Sequence, residues 1–329
     1  MNIYDIANES GVSITTVSRV LNDRNNVSEK TKEKVRAVLK KYNYTPNGMA
    51  RGLVSKSMKS IGVLTTDIRE PHHAETAYII EQEFRNLGYN VILCNTGGEP
   101  SKNLEYIKVL VEKNVDGIIL LGSVFSADSA ISSVLAHANK IPLVIANGFL
   151  DIENSYSVLV DDSYGITLCV DHLVEKGHSD IVYVIDACTY SGERKRDGFI
   201  MAMKNHDLKI DDNSIITVDG GLKGGYEAVE KFIGLNKKFT AIVFGEDLTA
   251  LGGIKKLKEL GMNVPGDVAV TGFNNSIFSI CSDPELTTID NKVETMGSLT
   301  VKLLHDLIED KNATSNILIR PELVIRAST

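Results

Sequence analysis

A chain of 329 residues with 35 Lys/Arg and 43 Asp/Glu has a formal net charge of −8, which taken whole argues against a nucleic-acid binder. That length suits a small head with a two-lobed body, and no apolar run approaches the roughly 18 residues of a membrane span; the polar start carries no export signal, so a cytoplasmic location is expected. Cys94, Cys169, Cys188 and Cys281 stand singly, without the CxxC spacing of metal or redox sites, and read as buried small hydrophobes in a reducing compartment.

The first 22 residues read as two short helices. In IYDIANES, Ile3, Ile6 and Ala7 recur at helical spacing; Gly11 supplies cheap left-handed backbone for a sharp turn; Ser13 can cap the helix ITTVSRVLN. Advancing about 100° per residue sets Val17, Val20 and Leu21 on one face of the second helix and Thr15, Ser18, Arg19 and Asn22 on the other. A face of hydroxyls, one amide and one guanidinium fits a major groove, so the pattern points to a helix-turn-helix; an ordinary surface hairpin is the alternative. Charge by segment supports DNA. Residues 1–59 hold 11 Lys/Arg and 5 Asp/Glu, a net +6, which leaves 24 basic and 38 acidic residues, or −14, beyond them. A basic head can meet phosphates while an acidic body stays off the duplex.

Ser28 can cap a third helix whose Val35, Val38, Leu39 and Tyr42 close the head's core, and Tyr44-Thr45-Pro46 ends it, because the residue before proline disfavours the helical region. The basic stretch NGMARGLVSKSMKS then reads as a linker. From Ile61 the pattern alternates. Apolar runs IGVLTTDI, NVILCN, DGIILLGS, PLVIAN, DIVYVID, AIVFG and VAVTGF are separated by segments of helical period, near 75–86, 102–113, 164–176, 194–204, 225–232 and 248–260. Strands so uniformly apolar are buried on both faces, which implies parallel sheets between helices. Two doubly wound α/β lobes fit seven such strands, with a ligand between them at the strands' carboxyl ends.

In order, IYDIANESGVSITTVSRVLN, VSEKTKEKV, YTPNGMARGL, KNVDGIILL, HLVEKGH, TALG, NVPGDVAVTGF and PELTTI resemble the LacI/GalR family of bacterial transcription regulators along essentially the whole chain. The resemblance implies an all-α helix-turn-helix head over 1–46, a hinge over 47–59 and a periplasmic-binding-protein-like body over 60–329. Lobe 1 would take about 60–160 and 290–319, lobe 2 about 161–289 and 320–329. It implies that Thr15, Thr16, Ser18 and Arg19 contact an operator, with Ile14 at the start of the recognition helix, on a thymine methyl or at the margin of the core. Tyr4, Ser13, Asn22, Ser28 and Asn47 match positions on phosphates or the groove edge. The stretch 47–55 would become a hinge helix on DNA, with Ala50 and the wedge residue Leu53 in the minor groove. Gly48 and Gly52 make that helix harder to form by roughly 1 kcal/mol each relative to alanine, so it should order only on operator and with its dimer mate.

By the same motifs the effector candidates are Asp67, Arg69, His72, His73, Ser123, Asn147, Lys195 with Arg194 and Arg196, Glu246 and Asn274. Two departures stand out: His72 and His73 replace an aromatic pair, and Asn274 replaces an aspartate, which weakens the case for a conventional hexose. Three cations at 194–196 could clamp a phosphate or carboxylate; alternatively one points inward and two are solvated, because consecutive helical residues do not share a face. The spacing His72-His73-x-Glu75 lacks the one-turn interval of helical zinc sites, and no metal, cofactor or catalytic set is expected. Asp161, Asp162 and Asp247 read as helix caps, and His178 as a structural hydrogen-bonding residue. The implied function is a ligand-responsive repressor of carbohydrate-related genes, binding a palindromic operator as a homodimer with a sugar or sugar derivative in its cleft. A regulator that answers to a phosphorylated carrier protein is the alternative, with a solute-binding protein more distant.

Overall fold

The computed structural model describes residues 3–21, 26–42, 57–127, 141–149, 155–313 and 316–329. It divides into two units, Met1–Met58 and Lys59–Thr329.

The first unit holds α1 (Ile3–Ser10), α2 (Ile14–Leu21) and α3 (Glu29–Lys41). Gly11, at φ +65°, turns the chain after α1, and the Val12 amide donates back to the Ala7 carbonyl, satisfying an acceptor that the helix end would otherwise leave open. Ile6, Val17 and Val35 lose all solvent contact, and Ala7 and Val20 nearly all; Leu21, Val38 and Leu39 pack at the margin. Tyr42 does not close this core. It is exposed and its hydroxyl donates to Glu9, beside the Lys41–Glu9 ion pair, so it ties the end of α3 to α1 from outside.

The second unit runs in chain order β1 (Ser60–Thr65), α4 (Pro71–Asn86), β2 (Asn90–Asn95), α5 (Pro100–Glu112), β3 (Gly117–Leu121), β4 (Leu143–Ala146), β5 (Tyr156–Val160), α6 (Asp162–Glu175) and β6 (Ile181–Ile185). It continues α7 (Tyr190–Asn205), β7 (Ile215–Thr217), α8 (Gly221–Gly234), β8 (Ala241–Phe244), α9 (Asp247–Glu259), β9 (Ala269–Phe273), α10 (Ile277–Cys281), β10 (Thr287–Asp290), α11 (Val293–Ile308), β11 (Asn316–Ile319) and β12 (Glu322–Val324). The strands form two six-stranded sheets, ordered β11-β5-β4-β3-β1-β2 and β12-β10-β9-β8-β6-β7. All neighbours are parallel except β12, which runs antiparallel to β10. The chain therefore passes between the lobes three times: after β5, after β10 and after β11.

Both sheets are buried on two faces, as their apolar runs require. Along β1 and β3, Ile61, Val63, Ile119 and Leu121 enter one cluster while Leu64, Ile118 and Leu120 enter another. In the second lobe Ile181, Tyr183 and Val243 face one way and Val182, Val184 and Phe244 the other. Successive side chains alternate across each strand, so each sheet is sandwiched between helices. The second half of the chain completes the first lobe: Met296, Val301 and Leu304 of α11 pack against β3, β4 and β5.

Five strands, β5, β7, β10, β11 and β12, and the helices α10 and α11 are additional to the seven runs and six helical segments read from sequence. Cys94 and Cys169 are buried, but Cys188 and Cys281 are exposed, so the expectation of four buried thiols holds for two. Among the described residues no helix is long and apolar enough to cross a membrane.

Candidate functional site

The head presents a polar face around α2. Thr15 and Arg19 are exposed, Thr16 and Ser18 half-buried, and Ile14 is 39% exposed, so it lies outside the core rather than within it. Tyr4 on α1 is exposed as well. The N-termini of α2 and α3 share one construction. The Ser13 hydroxyl accepts from the Thr16 amide at 3.2 Å and lies 2.9 Å from the Thr16 hydroxyl; Ser28 does the same with Thr31, at 3.3 and 2.9 Å. Two capped helix ends with exposed hydroxyls offer amide groups and a positive dipole end to anions such as phosphates. Thr31, the counterpart of Thr16, was not singled out from sequence. Asn22, Asn47, Ala50 and Leu53, and with them the hinge, lie outside the described residues.

In each lobe the strand order reverses beside one strand. In the first sheet this crevice lies between β1 and β3, and in the second between β6 and β8. Ligands of open α/β sheets bind outside the carboxyl ends at such points. The segments that follow these four strands carry Asp67 to Glu70 with His72 and His73 in the first turn of α4, Ser123, Asp186 to Thr189, and Gly245 with Glu246.

On the first-lobe side, Asp67 and Arg69 are occupied with each other. The guanidinium forks onto the carboxylate and, with the Arg69 amide, holds the Asp67 pKa down to about 2. His73 is buried, with Nδ1 3.1 Å from the Asp67 carbonyl and its ring 4.1 Å from that of His72. Burial pushes His72 well below the ordinary imidazole range, so it is neutral at pH 7, and its sealed Nδ1 meets no partner among the described residues. Asn147 turns after β4 in left-handed conformation, its amide donating to Val158 at 2.7 Å.

On the second-lobe side, Lys195 turns inward and its neighbours do not. Its Nζ donates to the Gly245 carbonyl at 2.8 Å and lies 4.0 Å from the centre of the Phe273 ring. Arg194 is exposed, and Arg196 pairs with Asp197 at 3.0 Å. The three-cation clamp is therefore corrected to a single inward cation, as the helical period of α7 requires. Asn274, at φ +97°, accepts from Asn291 Nδ2 at 3.0 Å; Asn291 is 1% exposed and its own Oδ1 meets no partner among the described residues.

Four carboxyl groups converge here that charge-based reading of the chain did not assemble. Asp162 and Asp186 are pushed above the usual carboxylate range by burial, against the pull of Lys195. Glu246 is pushed up by burial first, then by the nearby Asp186 and Glu70. Two contacts bridge the lobes: Ser123 Oγ donates to Thr189 Oγ1 at 2.9 Å, and the rings of Phe149 and Tyr190 stand 6.3 Å apart. Glu70, Asp162, Asp186 and Thr189 were missed as site residues. The available signal was positional, since Glu70, Asp186 and Thr189 sit in loops that leave strands at the reversal points.

The helix-cap readings divide. Asp161 accepts from the Tyr164 amide and caps α6, whereas Asp162 is buried towards Lys195. Asp247 is not a cap. It accepts from the Ser276 amide and hydroxyl at 2.6 and 2.8 Å and from the Thr288 hydroxyl at 2.5 Å, fixing the loop after β9. His178 bonds Thr240 at 2.9 Å, as a structural histidine would. Among the described residues no group of three metal-ligating side chains is placed to hold an ion.

A pH dependence follows. Burial pushes Asp247 up to about 6 from 3.8, so the folded state holds its proton where the unfolded chain releases it. The cost of ionising it is absent below the unfolded value and fully present above about pH 6. Stability should fall as pH rises from about 4 to about 6, by roughly 2–3 kcal/mol from this group. Asp162, Asp186 and Glu246 act in the same direction. Urea unfolding across pH 4 to 7 checks this; a curve flat or rising over that range contradicts it.

Two family models match the chain: "Bacterial regulatory proteins, lacI family" over residues 2–47 and "Periplasmic binding protein-like domain" over residues 170–329. An HTH-type transcriptional regulator of Lachnoclostridium phytofermentans is 37% identical over 333 residues, covering all of this chain and 99% of that protein. The repressor PurR of Mannheimia succiniciproducens is 33% identical, over 99% of this chain and 98% of its own length. Among solved structures, a lac repressor dimer bound to operator and the anti-inducer ONPF superposes with a TM-score of 0.90, at 26% identity, over 100% of this chain and 98% of that one.

Proposed function

The chain belongs to the lacI family of bacterial regulatory proteins, and from that premise we propose that it is a repressor of carbohydrate-related genes, binding a palindromic operator as a homodimer under control of a small molecule. Ile14, Thr15, Thr16, Ser18 and Arg19 would read bases in the major groove; Tyr4, Ser13, Asn22, Ser28 and Asn47 would position the phosphates. Hinge residues 47–55, with Ala50 and Leu53, would enter the minor groove. Support comes from the polar face of α2 on a head of net charge +6 over residues 1–59, and from the relatives, which are transcriptional regulators and repressors. Asp67, Arg69, His72, His73, Ser123, Asn147, Lys195, Glu246 and Asn274 form the proposed effector set, with Lys195 as its inward cation.

The single observation that carries effector control is the set of side-chain contacts between the lobes, Ser123 with Thr189 and Phe149 with Tyr190. A ligand that binds the open and closed lobes with different affinity shifts their balance, and through it the balance of operator-competent states. Thermal-shift screening of the full chain against sugars, amino sugars and sugar phosphates tests the reading. At least one compound should raise the melting temperature by several degrees and change operator affinity about tenfold or more, the range of typical coupling energies. If none does so and a phosphorylated carrier protein alone raises operator affinity, control belongs to a protein partner.

A further inference from the structure

The three crossings between the lobes lie at one edge of each sheet, beside β11 and β5 in the first and β12 and β10 in the second. The Asp161 amide donates to the Ile319 carbonyl at 2.9 Å, joining the first crossing to the third. Lys292 Nζ meets Asp290 at 3.0 Å and Glu322 at 2.6 Å, joining the second to the third. In the second sheet β6 stands three strands beyond β10, past β9 and β8. At about 4.8 Å per strand, the end of β6 is about 14 Å from that edge. Short, linked crossings make a hinge, and the far strands are its lever.

Two contacts grip the lobes away from that hinge. Ser123, opening the 3₁₀ turn Ser123–Ala127 after β3, donates its Oγ to Thr189 Oγ1 at 2.9 Å. The Phe149 ring, after β4, stands 6.3 Å from the Tyr190 ring. All four residues are half-buried. On the first lobe they belong to one rim, because the Phe149 amide donates to Ser126 Oγ of the same 3₁₀ turn at 2.8 Å. On the second lobe Thr189 and Tyr190 are consecutive, the cap and the first residue of α7. That helix is seated firmly: Gly198 lies against the Ser163 backbone of α6 with no room for a Cβ, and Phe199 stacks on Tyr183 of β6 with centroids 5.2 Å apart. The same helix carries Lys195, about 9 Å along its axis from Thr189.

We propose that Ser123–Thr189 and Phe149–Tyr190 form a latch, by which the protein's own side chains hold the lobes closed and set the balance that an effector shifts. This rests on the effector reading above and deepens it. On a lever of about 14 Å, a rotation of about 10° about the hinge moves the end of β6 by about 2–3 Å. That takes a 2.9 Å hydrogen bond out of range while leaving both sheets intact. The two contacts are therefore made or lost together. Because α7 joins them to Lys195, a ligand that pulls on Lys195 pulls on the latch. One neutral hydrogen bond is worth about fivefold in an equilibrium, so the latch biases the balance without freezing it.

The test uses the full chain with Cys188→Ser and Cys281→Ser, which removes the exposed thiols, and the duplex that this protein enriches from a random pool. Ser123→Cys with Thr189→Cys should cross-link readily under mild oxidation, whereas Ser123→Cys with Asp197→Cys, exposed further along α7, should not. The oxidised pair should differ from its reduced form by about fivefold or more in affinity for the duplex, reversibly with dithiothreitol. Ser123→Ala with Phe149→Ala should open the body, raising its radius of gyration in X-ray scattering, and should move duplex affinity in the direction opposite to the cross-link. Ser123→Ala alone, which leaves the cap of α7 in place, serves if that pair does not fold. Failure to cross-link, or scattering and affinity that change in no variant, overturns the latch and leaves the effector reading to the thermal-shift screen. Scattering that changes without any change in duplex affinity supports the latch but removes the lobes from control of DNA, and the effector reading falls instead.

Discussion

Lys195→Met is expected to lower the stability of the body at pH 7 by about 1–3 kcal/mol, the cost of leaving the Gly245 carbonyl without its charged donor. The ammonium of Lys195 draws down Asp162, Asp186 and Glu246, each of which burial pushes the other way. Methionine keeps most of the apolar stem but loses the ammonium, and with it the donor to Gly245 and the cation over the Phe273 ring. The sign with pH separates this from a packing defect. Protonation relieves the stranded carboxylates, so the deficit should shrink as pH falls from 8 towards 5, whereas a packing loss would stay constant. Urea unfolding at several pH values checks it; a pH-independent deficit, or none, would show that Lys195 does not balance these acids.

Arg19→Ala is expected to weaken operator binding about 10- to 100-fold, in keeping with about 1–3 kcal/mol for a bidentate base contact. The head should remain folded, because Arg19 is exposed and its neighbours Val17 and Val20 carry the packing. If Arg19 reads a base, the loss should be large on the cognate site and small on unrelated DNA. If it meets only a phosphate, affinity should fall evenly and the salt slope by about one. Fluorescence anisotropy at two or more salt concentrations distinguishes these outcomes; unchanged affinity on the cognate site would remove Arg19 from the interface.

The head and the central strands were legible because their physics is local. Gly11 and Ser13 announce the turn and the cap, and uniformly apolar runs such as GIILL announce strands buried on both faces. The additional strands lie mostly where that signal is weak. β7 and β12 have three residues each and sit at sheet edges, where one side of the strand meets little of the core. β11 pairs with β5, 159 residues earlier in the chain, an interaction that no local pattern records. Tyr42 misled because an aromatic at helical spacing suggests a core residue, and only the position of Glu9 shows that its ring stays outside.

The cleft was partly legible. Lys195, Glu246 and Ser123 were named from motif position, and the period of a helix already argued that Arg194 and Arg196 could not point inward with Lys195. Asp162 was read as a helix cap and Asp186 was not singled out, because an aspartate beside a helix start or a strand end is ordinary on sequence alone. Their significance comes from convergence: Glu70 belongs to the first lobe, Asp162 opens α6, and Asp186 and Glu246 follow β6 and β8. Only the folded topology brings these four to one place.

The central claim is that this chain reads DNA as a symmetric pair. Selection of bound duplexes from a random pool by the full-length protein, followed by sequencing, tests it most directly. Two-fold related heads should enrich an inverted repeat whose half-sites are centred about one helical turn apart, or a multiple of it, and Arg19→Ala should erase the enrichment. Enrichment of no sequence, or of a single asymmetric site unaffected by Arg19→Ala, would contradict the account.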